Sequence, residues 1–267
     1  MERNELLGFF ESQLRNWDLA RKNFDALQHI KRKDFKIGDL EGIVQFNPAR
    51  AVSTLAKTDR VSVKKRKCFL CQENRPSEQK SLEILQDWKL LVNPYPILPY
   101  HFTIVNYQHI PQKFFFEEGL KLAEKLPGMV IFFNDEGAGA SAPDHMHFQC
   151  VPIEEVPLIR LIDSVGDISE LELPFKLIKT KEDLEKNTFP INFYFWKKEN
   201  DKEIKYFGIP RKAHRPDMYY LNPPLRRAVS PGALDMAGII VVPVHEDFTR
   251  ITDDDIETIF SQVGFRR

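Results

Sequence analysis

The chain has 267 residues, enough for one large domain or two smaller ones, with 42% hydrophobic residues to build a core and 29% charged residues to solvate a surface. Its net charge of −1 excludes an electrostatic wrap for nucleic acid, and no apolar run of about 18 residues is present to span a membrane. Three cysteines, an odd number, argue against a disulfide framework and fit a reducing, cytoplasmic setting.

In chain order, residues 2–30 carry apolar side chains at helical spacing behind early acidic ones, which predicts an amphipathic helix and not a signal peptide. EGIVQFNPAR (41–50) reads as a strand ending in a turn. Residues 57–80 are basic and then turn-rich, which puts Cys68 and Cys71 in a loop or knuckle. WKLLVNPYPILPYHFTIVNYQH (88–109) reads as strand, proline-punctuated turn, strand. A helix follows at 114–126, an apolar strand at 128–134, a tight loop at 135–144 and a strand at 145–153. Past about residue 155 the pattern is mixed, with strands at 191–198, 204–212 and 237–244 and a closing helix at 253–263. The TDDD ahead of that helix supplies a cap and places acids at the positive end of its dipole. Strands joined by hairpin-like turns, with few helices, predict an α+β antiparallel architecture. The 21 phenylalanines predict aromatic packing and offer stacking surfaces for a base.

The segment NDEGAGASAPDHMHFQ (134–149) concentrates chemistry. On a strand, alternation puts His145, His147 and Gln149 on one face and Met146, Phe148 and Cys150 on the other, where they can pack into a core. A neutral imidazole is a nucleophile toward phosphorus. A glutamine amide can donate to a non-bridging oxygen as charge develops. The GAGAS loop lets backbone N–H groups approach a phosphate and adds the Ser141 hydroxyl. Two histidines two apart can also be ordinary polar residues at a strand edge; the loop before them and the glutamine after them favour a phosphate site.

This segment resembles the active-site segment of the HIT superfamily, in its H-x-H-x-Q branch, which includes galactose-1-phosphate uridylyltransferase, the diadenosine tetraphosphate phosphorylases and GDP-L-galactose phosphorylase. The bulky Met146 and Phe148 are similar to the phosphorylases, where the uridylyltransferase has Pro and Gly. NPYPILPYHFTIV upstream is similar to the family's strand–turn–strand, and the stretch from INFYFW to AVSPGALDMAGIIVVP is similar to the phosphorylases' C-terminal half. The resemblance implies HIT-like antiparallel sheets with flanking helices in a duplicated unit. Residues 1–160 would be the catalytic half, with the N-terminal helix and the knuckle, and residues 161–267 a degenerate second half. It further implies that His147 becomes a covalent nucleotidyl-histidine and that Gln149 holds phosphate oxygens. Asn134, Gly139, Ala140 and Ser141 match phosphate-loop positions, and His101 a position near the phosphates. SAPDH has one residue more between serine and histidine than the uridylyltransferase has, which loosens the match at Ser141.

Cys68-Phe-Leu-Cys71 can grip a tetrahedral metal, form a redox pair or be two ordinary thiols. The neighbouring KKRK is expected to favour thiolates. A redox motif should open a helix, whereas CFLCQENRP runs into turn residues. The uridylyltransferase resemblance matches Cys68, Cys71, His109 and His145 to a structural zinc set, which the phosphorylases lack. Arg50 and Lys57 are candidates for phosphate or sugar contact. Arg211, Lys212, His214 and Arg215 in PRKAHRP are either a phosphate-binding cluster or a solvated turn.

The expectation is therefore a nucleotidyltransferase or phosphorylase that takes a nucleoside diphosphate-sugar or a dinucleoside polyphosphate, with phosphate or a sugar phosphate as acceptor. A homodimer with no nucleic-acid or membrane partner is expected. The rivals are a hydrolase on the same scaffold, a zinc-stabilised module that holds nucleotide without turnover, and a redox protein.

Overall fold

The computed structural model describes residues 3–56, 59–165 and 167–266. Helices α1 (Arg3–Asn16) and α2 (Asp18–Ala26) lead into β1 (Lys31–Ile37) and β2 (Leu40–Phe46). Two short helices, α3 (Ala51–Thr54) and α4 (Arg60–Lys65), precede β3 (Ser81–Leu85), β4 (Trp88–Val92) and β5 (Phe102–Asn106). Helix α5 (Phe116–Lys125), β6 (Met129–Asn134), β7 (His147–Pro152), α6 (Pro157–Ser164) and α7 (Lys181–Lys186) come next. Strands β8 (Ile191–Trp196) and β9 (Lys205–Pro210), α8 (Ala233–Met236), β10 (Ile239–Val242), α9 (His245–Arg250) and α10 (Asp253–Val263) complete the chain.

The expected single N-terminal helix is two helices, because Trp17 adopts an extended backbone (φ −136°, ψ 97°) and turns its indole into the core. Strands β1 and β3 have no clear apolar alternation in the sequence. In β1 only Phe35 is buried, and the flanking lysines, arginine and aspartate suit an exposed edge strand. The closing helix starts as its sequence predicts: the Thr252 hydroxyl accepts from the Asp255 N–H, and the Asp255 carboxylate accepts from the Thr252 N–H in return.

Seven strands form one antiparallel sheet in the order β3-β4-β5-β7-β6-β8-β9, so the DHMHFQ strand is its middle member. A second sheet, β1-β2-β10, joins antiparallel β1–β2 to a parallel β2–β10 pair. The architecture is α+β, as expected, and strands from both sides of residue 160 share the large sheet.

The large sheet is covered on both faces. Under one face lie α1, α2 and α5, which pack Leu6, Phe10, Phe24 and Leu122 against Ile131, Phe133, Met146, Phe148, Phe193 and Phe195. Each fully buried phenylalanine there contributes about 1.5–3 kcal/mol of apolar burial. Over the other face, the small sheet and α6, α8 and α10 pack on Val130, Phe132, Val151, Tyr194 and Phe207. On this second face Leu91, Thr103, Gln149, Phe132 and Tyr194 stand directly opposite one another across five neighbouring strands. Helix α8 meets the Tyr194 end of this row, where the Tyr194 hydroxyl donates to the Ala233 carbonyl, and the remaining four residues stay open to a cavity. Among the described residues no helix is long and apolar enough to cross a membrane.

Candidate active site

The open strip is the floor of a cavity of about 640 Å³, within the range of roughly 300–1,000 Å³ usual for small-molecule sites. His147, Gln149, Thr103, Phe132 and Asn134 rise from the large sheet, and Gly139, Ala140 and Ser141 border it from the loop after β6. Arg50 and Asn93 close one side, and Gly232, Ala233, Asp235 and Val241 another. Met146, Phe148 and Cys150 anchor the strand in the opposite core, as alternation predicts.

His147 is buried, and burial holds its imidazole down at about 4, so the ring is neutral at physiological pH. Its Nδ1 lies 2.8 Å from the His145 carbonyl oxygen. A carbonyl can only accept, so Nδ1 carries the proton and Nε2 keeps its lone pair. The Gln112 side chain holds the backbone on both sides: its Oε1 accepts from the His147 N–H at 2.9 Å, and its Nε2 donates to the His147 and Asn134 carbonyls at 3.0 and 2.8 Å.

Gln149 is oriented in the same manner. His101 Nδ1 accepts from the Ile97 N–H at 3.1 Å, so His101 Nε2 bears the proton and donates to Gln149 Oε1 at 2.8 Å. The Gln149 amide nitrogen then points away from His101, free to donate to a ligand. Burial and the nearby Arg50 charge lower His101 to about 3, which keeps it in this donor form. His101 is itself fully buried behind Gln149 and does not line the cavity.

The glycine-rich loop is built around its neighbours. Gly139 has φ +97°, and a Cβ there would sit 2.6 Å from Gly232 Cα and 2.7 Å from the Pro231 carbonyl oxygen. Asn134 Oδ1 accepts from the Ala233 N–H at 2.7 Å and from Asn192 Nδ2 at 2.9 Å, tying the loop to the segment that forms the opposite wall. Arg50 is half-buried and donates to the Tyr95 carbonyl at 2.8 Å; desolvation lowers it only to about 10, so it stays cationic. Asp235 accepts from the Gly232 and Val241 N–H groups, while burial raises it to about 6. Lys57 lies outside the described residues.

His145 departs from the expectation that it shares a face with His147. Strand β7 begins at His147, and the His145 ring swings out to the knuckle. Its Nδ1 lies 3.3 Å from Cys68 Sγ and 3.5 Å from Cys71 Sγ, and His109 Nδ1 lies 3.1 Å from Cys71 Sγ. The four donor atoms fall within 4.8 Å of one another and form a set that could hold a metal ion. His145 Nε2 donates to the Asn106 carbonyl at 2.9 Å, which leaves the Nδ1 lone pair facing the sulfurs, the tautomer a metal requires. The basic run does not act as expected. Lys64, Lys65 and Lys67 are exposed, whereas burial and Cys68 push the Cys71 thiol up to about 12. Cys68 and Cys71 are both free, and the residues after them form a 3-10 turn. Arg66 ties the knuckle to the loop through a 2.7 Å contact with Asp144 and lies over the Phe69 ring at 4.8 Å.

Sequence reading missed Gln112, Asn93 and Asp235. Gln112 and Asn93 act through partners far along the chain, Asp235 accepts from the nearby Gly232 and Val241 N–H groups, and no local motif marks any of them.

Comparison with known proteins agrees with this architecture. Residues 9–152 match the family described as a domain of unknown function, DUF4922. No curated protein matches the chain. Among solved structures, yeast Ap4A phosphorylase Apa2 is similar in fold, with 16% identity, a TM-score of 0.56 and 94% of each chain covered. Its complex with AMP matches at 18% identity and a TM-score of 0.56, covering 96% of this chain and 97% of that one. Its complex with Ap4A matches at 16% identity and a TM-score of 0.57, covering 93% and 96%.

Proposed function

The chain belongs to the DUF4922 family, and from that premise we propose that it is a nucleotidyltransferase of the phosphorylase type, acting on a dinucleoside polyphosphate through a covalent nucleotidyl-histidine at His147. One observation carries the reading: a neutral His147, with Nδ1 held by the His145 carbonyl and Nε2 open, stands beside a Gln149 whose amide is fixed by His101 in a cavity of about 640 Å³. The likeness to a phosphorylase captured with AMP and with Ap4A favours dinucleoside polyphosphates over nucleotide-sugars.

In the first step His147 Nε2 attacks the α-phosphorus. The P–O bond to the leaving nucleotide breaks and its electron pair leaves on oxygen. The ring becomes cationic, and the His145 carbonyl facing Nδ1–H stabilises that charge. Gln149 and the 138–141 backbone donate to the phosphoryl oxygens as charge builds. A phosphate oxygen then forms the new P–O bond as the P–Nε2 bond breaks and its electron pair returns to the ring.

Cys68, Cys71, His109 and His145 would hold zinc. Zinc places sulfur ligands at about 2.3 Å and nitrogen ligands at about 2.0–2.1 Å, so tetrahedral neighbours lie roughly 3.5 Å apart. The nitrogen–sulfur separations of 3.1–3.5 Å here suit that geometry. Four protein ligands would leave no open position, so the ion would be structural and would fix His145, whose carbonyl in turn holds His147. Residues 161–267 act, in this reading, as a degenerate second half that supplies a wall and no nucleophile.

Product analysis tests the assignment. Incubated with Ap4A and phosphate, the enzyme yields ADP and ATP, with the ADP phosphate taken from labelled inorganic phosphate. Formation of AMP and ATP with no label uptake would make it a hydrolase instead.

A further inference from the structure

The PRKAHRP segment has no task in the reaction above, and the fold divides it. Arg211 is buried and spent on structure: its guanidinium donates to Asn192 Oδ1 and to the carbonyls of Val263, Pro231, Ala213 and His214. Lys212 donates outward, to the Ser261 carbonyl. His214 alone of the four lines the cavity, beside Ser230, in the same space as His147 and Gln149.

Ser230 Oγ accepts from Arg215 Nε at 2.9 Å and lies 3.2 Å from His214 Nε2. The two lone pairs of Ser230 Oγ can take Arg215 Nε–H and His214 Nε2–H, which leaves the hydroxyl proton for a ligand in the cavity. Burial and the charges of Arg215 and Arg211 hold His214 at about 4, so it is neutral. Arg215 is fixed from behind by the Thr54 and Ala56 carbonyls at 3.3 and 2.8 Å and lies 4.3 Å over the Tyr219 ring.

The charge balance of this wall asks for an anion. Among the described residues Arg50, Arg211 and Arg215 form no ion pair, and Asp235 is the one acid that lines the cavity. Arg50 Nε is buried without a partner. Arg211 is buried, Arg50 and Arg215 are half-buried, and Asp235 alone balances Arg50 and Arg211, so the three cations outnumber the acid and an anionic ligand offsets the excess.

We propose that Ser230 and His214, with Arg215 behind them, form a second anion subsite of this cavity, which takes the phosphoryl group that does not become bonded to His147. That group is the free phosphate that discharges the adduct or the distal phosphate of the leaving nucleotide. The proposal rests on the covalent reading above. A hydrogenphosphate held there attacks through an unprotonated oxygen; the P–Nε2 bond breaks, its electrons return to the His147 ring, and the product is a nucleoside diphosphate with no further proton transfer required.

The test preforms the nucleotidyl adduct on the full chain and discharges it with inorganic phosphate, with ATP or with water alone, in wild type, Ser230→Ala and His214→Asn. Adduct formation itself shows that each variant is folded. The rate ratio of phosphate-driven to water-driven discharge is expected to fall at least about tenfold in each variant, the scale of one hydrogen bond to a charged group. A fall for phosphate alone assigns the subsite to the acceptor. A fall for ATP as well extends it to the leaving nucleotide. Unchanged ratios in both variants overturn the proposal. If wild type forms no adduct, the covalent reading fails first, and calorimetric titration with inorganic phosphate decides the subsite: binding lost in Ser230→Ala supports it, and no binding to wild type overturns it.

Discussion

Replacing His101 by phenylalanine tests whether Gln149 is a preset donor. The change keeps a buried ring but removes two hydrogen bonds, one from the Ile97 N–H and one to Gln149 Oε1. Each orphaned buried group costs about 1–3 kcal/mol, so the melting temperature should fall. The catalytic effect is separate. The bond to Oε1 biases the amide toward presenting its nitrogen to the phosphate, and losing about 1.5 kcal/mol of bias amounts to roughly tenfold in population. Complete loss of one such donor costs about 10²–10³ in rate. Asn93 Nδ2, 3.4 Å from Gln149 Oε1, retains part of the orientation. His101→Phe is therefore expected to slow single-turnover adduct formation by about 10- to 100-fold, with little change in substrate half-saturation. In a Gln149→Ala background the same substitution should slow it hardly at all, since the group that His101 orients is gone. Equal factors in both backgrounds, or a wild-type rate in His101→Phe, would refute the role.

Metal analysis of the purified chain should find one zinc per molecule, lost in Cys68→Ser together with a large fall in melting temperature; full metal content in that variant would remove Cys68 from the ligand set. Arg211→Met should destabilise the fold by about 3–5 kcal/mol in denaturant titration, because the buried carbonyls that Arg211 serves are left unpaired; a loss below about 1 kcal/mol would contradict that account. Stability should also fall with acidification. His101 is held at about 3 and His147 and His214 at about 4, so the unfolded chain takes up protons that the folded chain does not. Their contribution is intact above about pH 6.5 and is lost as pH falls toward those folded values. Asp235, raised to about 6, acts oppositely and offsets one of the three protons. Between about pH 6 and 4.5 these four groups leave a net slope of about 2–3 kcal/mol per pH unit, and His214→Asn should flatten the measured stability–pH curve by about 1.4 kcal/mol per pH unit. Parallel curves for the two proteins would contradict the assignment at His214.

The sequence made the middle strand legible because two independent patterns coincide there: period-two alternation that buries Met146, Phe148 and Cys150, and a loop in which Gly139 has no room for a side chain. Spacing also brought out the Cys68–Cys71 pair, and the family resemblance added His109 and His145 to it. It could not show where β7 starts, so His145 was read onto the face of His147, although the chain turns its ring toward Cys68. Strands β1 and β3 were hidden for another reason: sheet edges take charged residues, and only long-range pairing marks them as strands. Gln112 and Asn93 were illegible because their roles lie in partners brought close by the fold, such as Gln112 with the backbone of His147 35 positions away, and Asp235 because its bonds to the Gly232 and Val241 N–H groups follow no motif.

The central claim, a covalent intermediate on His147, is tested most directly by intact-protein mass after brief incubation with Ap4A in the absence of phosphate. The account predicts a gain of one adenylyl group that is acid-labile, absent in His147→Ala and discharged by added phosphate. An unmodified mass while Ap4A remains bound to the protein would contradict it and leave a nucleotide-binding module without turnover.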